Sequence, residues 1–426
     1  MQSITPCRKE CNFFDKFEAN LNFICESTIS TKLKKLSGIV SQARGTGSFY
    51  AISQKRVWSQ FDTWKRLLPK VKPFYAVKCN YNPTLLGWLY DKGSGFDCAS
   101  AREIDSVVNK SPAPEIIFAN PCKKDIDIKS NSTSLTVVDS TEEIDKLQQN
   151  SWRGSSLIRL RVEDKGSKMP FSAKFGADLS IVKHLAEYAK VRGQHISGVS
   201  FHVGSGGGDV SQYSLALKAS SSALCKIKTE FQDANIIDIG GGMTENTFPW
   251  IAKIVQSSIG HLPSNTRLIA EPGRFMANRS QDLFVKVIGK KPSLHGKGFR
   301  YTLDESLYGQ FSCIPYDHAT PKWIRVSCQD DKRKRMPAVL YGRTCDSVDL
   351  IAVAEDAEEL FPGDWLWFPH MGAYTSVTST EFNGFPKPEE IILNDTSDFQ
   401  LPEPEDFNKK LWPNNLKYVS VVKTPN

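Results

Sequence analysis

The chain has 426 residues, 40% of them apolar and 24% charged, which is the profile of a soluble globular protein long enough for two domains. Its net charge of +7 is scattered, and the densest basic cluster, Lys332-Arg333-Lys334-Arg335, follows Asp330-Asp331 without interleaved aromatics, so it reads as a solvated loop and not a nucleic-acid surface. No apolar run could span a bilayer, residues 1–20 lack a signal-peptide core, and ten cysteines without disulfide density or metal-ligand spacing predict reduced thiols, no metal site and a cytoplasmic location.

Residues 1–46 are polar and weakly patterned, and are expected to form a partly mobile N-terminal segment. Gly47–Ser53 reads as a short strand, and Trp58 to Leu68 carries apolar residues at helical spacing. Pro73-Phe74-Tyr75-Ala76-Val77 then runs straight into Lys78, and Asn80-Tyr81-Asn82-Pro83 breaks the run. Strand-like apolar runs follow at 94–98, 116–120, 134–138, 156–162, 198–203, 235–239 and 267–270. Segments of helical period lie between them, including Thr84–Tyr90, Ala101–Val108, Thr141–Gln148, Ile181–Val191, Gln212–Thr229 and Pro249–Ile259. Eight strands alternating with helices predict a closed parallel β/α (TIM) barrel over 47–283. An open doubly wound sheet is the competitor, and the lack of a Gly-x-Gly-x-x-Gly at the first helix argues against it. From 284 to 426 the helical period fades. Runs at 284–288, 299–303, 323–327, 338–341, 349–353, 365–369 and 389–393 predict a β-rich sandwich-like or barrel-like domain, completed by the strand near 47–53.

Barrels collect function at the carboxyl ends of their strands. Those ends carry Lys78, Asp97, Arg159, His202 with Ser205, the triplet Gly240, Gly241 and Gly242, and Glu271 with Gly273 and Arg274. Taken alone, Lys78 reads as a strand-end lysine that snorkels to water; desolvated, its pKa would fall and the neutral amine could condense with a carbonyl. The glycine triplet alone could be a tight turn, and a lone buried histidine is usually structural. Together, a lysine, bare glycine amides and an arginine after the last two strands suit a phosphorylated aldehyde such as pyridoxal phosphate. Glu271 would face its ring nitrogen and His202 its ring face. Gly342–Ser347, with Cys345 beside Asp346, could supply a proton donor and a cation receptor, or be a surface turn.

Long motifs sharpen this reading. They are Pro-Phe-Tyr-Ala-Val-Lys-Cys-Asn at 73–80, Gly-Phe-Asp-Cys-Ala-Ser at 95–100, Ala-Asn-Pro-Cys-Lys at 119–123 and Ser-Phe-His-Val-Gly-Ser-Gly at 200–206. Ala-Glu-Pro-Gly-Arg-Phe at 270–275, Tyr-Asp-His-Ala at 316–319 and Met-Gly-Ala-Tyr-Thr at 371–375 complete the set. From about residue 47 to 395 the chain resembles the eukaryotic ornithine decarboxylase family, in the alanine-racemase-like class of pyridoxal-phosphate enzymes. The resemblance implies decarboxylation of ornithine to putrescine in polyamine biosynthesis. Lysine, alone or beside ornithine, is the alternative substrate, and a catalytically weak regulatory homologue the alternative role. It implies that Lys78 holds the cofactor aldehyde, that Asp97, Arg159, His202 and Glu271 surround the ring, and that Ser205, the glycine triplet, Gly273, Arg274 and Tyr374 hold the phosphate. Substrate would be bound by Tyr316, Asp317, Cys345, Asp346 and Phe382, with Cys345 as proton donor. Further implications are a head-to-tail homodimer with shared sites, a Lys174–Asp349 bridge between subunits and an antizyme-like regulator. Arg343 stands where relatives have proline, and Glu305-Ser306 where they have Asp-Gly; Arg343 is therefore expected to pair with Asp346 when the site is empty.

Overall fold

Short β-branched and aromatic runs separated by capped helices dictate the first half of the fold. In the computed structural model, which describes residues 29–43, 45, 47–129, 133–162, 172–204, 209–294, 296–327, 333–394 and 400–418, Phe49–Ile52 (β1) precedes eight strands that close on themselves. These are Val71–Ala76 (β2), Gly95–Cys98 (β3), Ile116–Phe118 (β4), Leu135–Val138 (β5), Ser155–Leu160 (β6), His195–Phe201 (β7), Ile236–Asp238 (β8) and Arg267–Ala270 (β9). Every neighbouring pair is parallel, and β9 returns to β2 with Val71 opposite Leu268. The barrel predicted from the eight apolar runs is the observed one. Its interior is filled by Phe74, Ile117, Leu135, Val137, Leu157, Ile236 and Ile269.

The helices start where the sequence places caps. Ser100 accepts from the Glu103 amide and Ser140 from the Glu143 amide, while Asn82 caps a helix whose first residue is Pro83. Each cap closes the loop that follows a strand, so the polar strand-end residues are held between a buried strand and a fixed helix start.

The second half is a mixed eight-stranded sheet of β1 with Gln281–Pro292 (β10), Phe299–Leu303 (β11), Ile324–Val326 (β12), Arg335–Tyr341 (β13), Leu350–Glu358 (β14), Trp365–Phe368 (β15) and Glu389–Ile392 (β16). β1 pairs antiparallel with β10 and parallel with β16, as its apolar character near residues 47–53 predicts. Arg56 on the following helix reaches back into this sheet and binds Asp282 at 2.9 Å with both side chains buried.

Two features of the chain's first third differ from expectation. Residues 29–40 form a helix, with Leu36 and Ile39 fully buried against Phe49, Phe284 and Trp367. Residues 1–28 lie outside the described residues. Strand β2 stops at Ala76, and Val77–Cys79 make a 3-10 turn, so Lys78 sits one step past the strand, on the rim. Of the basic cluster, Arg333 and Arg335 are tied to Asp364 and Asp356. No helix among the described residues is long and apolar enough to cross a membrane.

Candidate active site

The rim lysine is not neutral. Lys78 Nζ donates to Asp97 Oδ2 at 2.5 Å, and its side chain is 40% accessible at the barrel mouth. Burial pulls its pKa down, but the Asp97 and Glu271 carboxyls outweigh burial and hold it above the usual lysine value. The expectation of a desolvated, neutral amine is thereby corrected: with two acidic neighbours the ammonium is the stable form, and an incoming carbonyl must take the proton's place.

Glu271, one residue past β9, and Asp238, the last residue of β8, are both buried and share one environment. Burial pushes Glu271 well up, and the Asp238 charge beside it adds to the effect. Asp238 is pushed up to about 6 by burial, although it accepts from the Gly240 amide at 2.9 Å and the Ser200 hydroxyl at 2.8 Å. Two carboxyls so close cannot both ionise at little cost, so the pair retains a proton near neutrality.

His202 follows β7. Its Nδ1–H donates to the Val203 carbonyl at 2.9 Å, and burial, Arg159 and Lys78 hold its pKa down to about 3. It is a neutral imidazole of fixed tautomer, which suits a flat contact and excludes a role as a cationic acid. Arg159, near the end of β6, lies with its guanidinium 5.2 Å from the Phe175 ring centroid.

The glycine triplet is demanded by contact. Cβ atoms at Gly240, Gly241 and Gly242 would come within 2.2 Å of the Phe201 carbonyl oxygen, 2.5 Å of the Glu271 one and 2.6 Å of the Val203 one. Gly240 and Gly242 also have φ of +63° and +89°. Arg274 donates to both oxygens of Asp317, at 2.6 and 2.8 Å, and stacks 5.0 Å from the Tyr374 ring centroid. Tyr374, itself at φ +56°, is tied by its amide to the Cys79 carbonyl, and a Cβ on Gly273 would lie 3.2 Å from its hydroxyl. Ser205 lies outside the described residues.

These residues fit pyridoxal phosphate. Oδ1 of Asp97 and Oε1 of Glu271 are buried and have no hydrogen-bond partner among the described residues, and both belong to the carboxyls that surround Lys78. Buried carboxyl oxygens left unpaired are costly, and a ring carrying polar hydrogens would satisfy them. The amides of Gly241 and Gly242 have no acceptor among the described residues and complete the set with Arg274.

The β-domain residues gather in a second group. Asp346 accepts from the Tyr308 hydroxyl at 2.5 Å, Tyr308 stacks on Phe382 at 4.4 Å, and the Cys345 amide donates to Asn383 at 3.1 Å. Cys345 is exposed, as are Tyr316 and Phe382. The contacts described for Cys345 and Asp346 stay within this group, and none reaches Lys78, Glu271 or His202. Arg343 does not pair with Asp346: it donates to the Pro386 carbonyl at 3.1 Å and lies 4.4 Å from the Phe385 ring centroid. The aromatic ring offers the guanidinium a face, and Tyr308 has already taken the aspartate. Asp349 is buried on the Leu307 and Thr344 amides and the Thr344 hydroxyl, while Lys174 lies over Phe175, so the two are not paired within one chain. Asp238 and Tyr308 are site members that the sequence reading passes over; Asp238 was marked only by its place before the glycines.

Comparison with known proteins agrees with this geometry. Residues 54–278 match the family described as "Pyridoxal-dependent decarboxylase, pyridoxal binding domain". The chain is 36% identical to the chloroplastic ornithine decarboxylase of Nicotiana glauca over 355 residues, covering 79% of this chain and 81% of that protein. It is 35% identical to antizyme inhibitor 2 of Xenopus laevis over 392 residues, covering 86% of each. Among solved structures, the arginine decarboxylase of Paramecium bursaria Chlorella virus superposes with a TM-score of 0.80 at 34% identity, covering 85% of this chain and all of that one.

Proposed function

The chain belongs to the pyridoxal-dependent decarboxylase family, and on that premise we propose that it converts L-ornithine to putrescine and CO2. The observation that carries an active enzyme is the pair of unpartnered buried oxygens, on Asp97 and Glu271, around a rim lysine. Pyridoxal phosphate supplies the electron sink that accepts the bonding pair when CO2 departs.

The protein's part is binding, orientation and proton placement. Lys78 is the residue that would hold the cofactor's aldehyde, and Asp97 would keep its free amine as an ammonium able to give or take a proton. Glu271 keeps a hydrogen bond at the ring nitrogen, and its coupling to Asp238 keeps a proton available there. Neutral His202 covers one ring face without adding a competing charge. Gly241, Gly242, Arg274 and Tyr374 receive the phosphate. Asp346, and Asp317 where Arg274 turns from it to the phosphate, would receive the distal ammonium, and a substrate with an aliphatic end would leave both carboxylates short of a cation. Cys345 delivers the proton that replaces the carboxylate at the substrate α-carbon.

Because none of the contacts described for Cys345 and Asp346 reaches the barrel group of their own chain, we place them in the site of a second copy, in a homodimer with two shared sites. The exposed rings of Tyr316 and Phe382 then become buried interface. The likeness to an antizyme inhibitor supports a second reading, a regulator without turnover that engages an antizyme-like partner. Retention of Lys78, Arg274 and Cys345 favours the enzyme. The test is CO2 release by the purified holoprotein from ornithine, lysine and arginine in turn. A preference for ornithine supports the proposal, a preference for either longer substrate overturns the substrate assignment, and bound cofactor without release favours the regulator.

A further inference from the structure

The glycine turn after β8 is pinned at three points, and two of them control where its amides face. The Gly240 amide is held by Asp238 at 2.9 Å. The Gly240 carbonyl accepts from the Glu271 amide at 2.8 Å. The Gly241 carbonyl accepts from the hydroxyl of Tyr213, in the first turn of the helix Ser211–Ile227. A peptide unit is rigid and trans, so its carbonyl and the following amide point in opposite directions. Fixing the Gly240 carbonyl therefore aims the Gly241 amide, and fixing the Gly241 carbonyl aims the Gly242 amide. These are the two amides that lack an acceptor among the described residues.

Such a pin is needed because the unit it holds is a Gly–Gly peptide. With no Cβ on either side, rotation of the Gly241–Gly242 plane meets little steric resistance, and a flip would turn the amide inward and a carbonyl toward the anion. Tyr213 is suited to prevent this. Its ring is 98% buried in the layer between strands and helices, edge-on to Phe201 at 6.2 Å. A carbonyl can only accept, so the hydroxyl must donate, and burial pushes its pKa up, keeping that proton in place at any working pH.

We propose that Tyr213 is a positioning residue for the cofactor phosphate: its hydroxyl locks the Gly241–Gly242 peptide with the Gly242 amide facing the anion. This rests on the reading of the turn as the phosphate cradle, made above. It adds a side chain, from a different helix and 28 residues distant, that never touches the cofactor.

The experiment titrates the apo-protein with pyridoxal phosphate and with pyridoxal, following absorbance. Both carry the aldehyde that Lys78 meets, so the dissociation constant of pyridoxal divided by that of pyridoxal phosphate reports the phosphate contacts alone. Tyr213→Phe keeps the ring and should lower that ratio about 3- to 10-fold, the worth of one hydrogen bond, with pyridoxal binding unchanged. A purely structural role would lower the melting temperature of the apo-protein and weaken both ligands alike; that result overturns the proposal. Arg274→Ala is the reference. If it lowers the ratio and Tyr213→Phe does not, the Tyr213 inference falls while the cradle stands. If neither lowers it, the cradle reading falls first. Should Tyr213→Phe not fold, 3-fluorotyrosine at position 213 strengthens the donor, and a ratio that drops there overturns the proposal.

Discussion

The barrel mouth and the Gly342–Ser347 loop hold the two halves of the proposed chemistry, and they are built in opposite ways. At the mouth each polar group is held by another from a different element: Lys78 by Asp97, Asp238 by Ser200, Arg274 by Asp317. Most are buried, and the unsatisfied atoms cluster around Lys78. In the loop the partners come from equally distant segments but the groups lie nearer the surface: Cys345 is exposed, its amide donates to Asn383, and Asp346 accepts from Tyr308. A preorganised mouth with unmet hydrogen bonds around its lysine suits a small ligand; a loop that exposes Cys345 near the exposed rings of Tyr316 and Phe382 suits a surface. On the proposed reading, the mouth would hold the cofactor and the loop would complete substrate selection at the contact between two copies.

The sharpest way to break this division is at its centre. Lys78→Ala should remove the visible absorbance of bound cofactor and essentially all turnover, while leaving the β domain intact by circular dichroism. Cys345→Ala should leave the absorbance unchanged. Mixing the two inactive variants then tests whether the halves meet across subunits. After exchange, about a quarter of wild-type activity should return, because half the dimers are mixed and each has one intact site. No recovery after verified exchange would place both residues in one chain's site.

Next in size is a contrast within the loop. Asp346→Ala should raise KM for ornithine by a few kcal/mol in binding while changing kcat less, because it removes a receptor for the distal ammonium. Cys345→Ala should instead lower kcat and divert product from putrescine toward an aldehyde, as the proton reaches the wrong carbon. Clean putrescine at normal yield from Cys345→Ala would remove it as donor. Arg274→Ala, at the mouth, should weaken cofactor binding by about 1.5–3 kcal/mol, the range for a hydrogen bond to a charged group, and alter the chemical step less. Apo-protein titration checks it.

The same division explains what could be read from the sequence. The barrel is legible because each strand is a short apolar run ending in a polar residue, and those ends are the mouth. Lys78, Asp97, His202, Glu271 and Arg274 are visible as candidates for that reason. The direction of the Lys78 pKa is not, since it depends on Asp97 and Glu271, 19 and 193 positions away. The helix over 29–40 carries a stripe of Ile29, Leu33, Leu36 and Val40, yet the surface that buries it comes from strands far along the chain. The partner of Arg343 is not legible, because sequence proximity to Asp346 says nothing of Phe385, which competes for the guanidinium. Tyr213 looks like any core aromatic of a helix until its hydroxyl is traced to Gly241.

The smallest effects should appear in stability against pH, where the mouth and the domain junction have opposite signs. Glu403 accepts from Arg56 at 3.1 Å and Arg279 at 2.7 Å and bonds His370 at 3.2 Å. Burial alone would raise its pKa, but His370 and the two arginines bring it down to about 2. Its folded-state pKa lies below the unfolded value near 4.3, so its contribution is complete above that pH and is lost as pH falls toward 2. Its side chain is 30% accessible, so screening limits the effect to on the order of 1–2 kcal/mol. Glu271 and Asp238 behave inversely. Their pKa values are raised, so their contribution is greatest below the unfolded carboxylate pKa and is lost as pH rises through about 6, the Asp238 value. Glu403→Gln should therefore lower the melting temperature near neutral pH and flatten its fall between pH 5 and pH 2, the two proteins converging at the acid end. Glu271→Gln removes the like charge beside Asp238 and should raise the melting temperature of the apo-protein at pH 8 while lowering turnover of the holoenzyme. Such a gain at the mouth would mark Glu271 as held in place for chemistry at a cost to the fold. A loss at pH 8 would show that the carboxyl pair stabilises the empty barrel, and the contrast between the two regions would then have to rest on exposure alone.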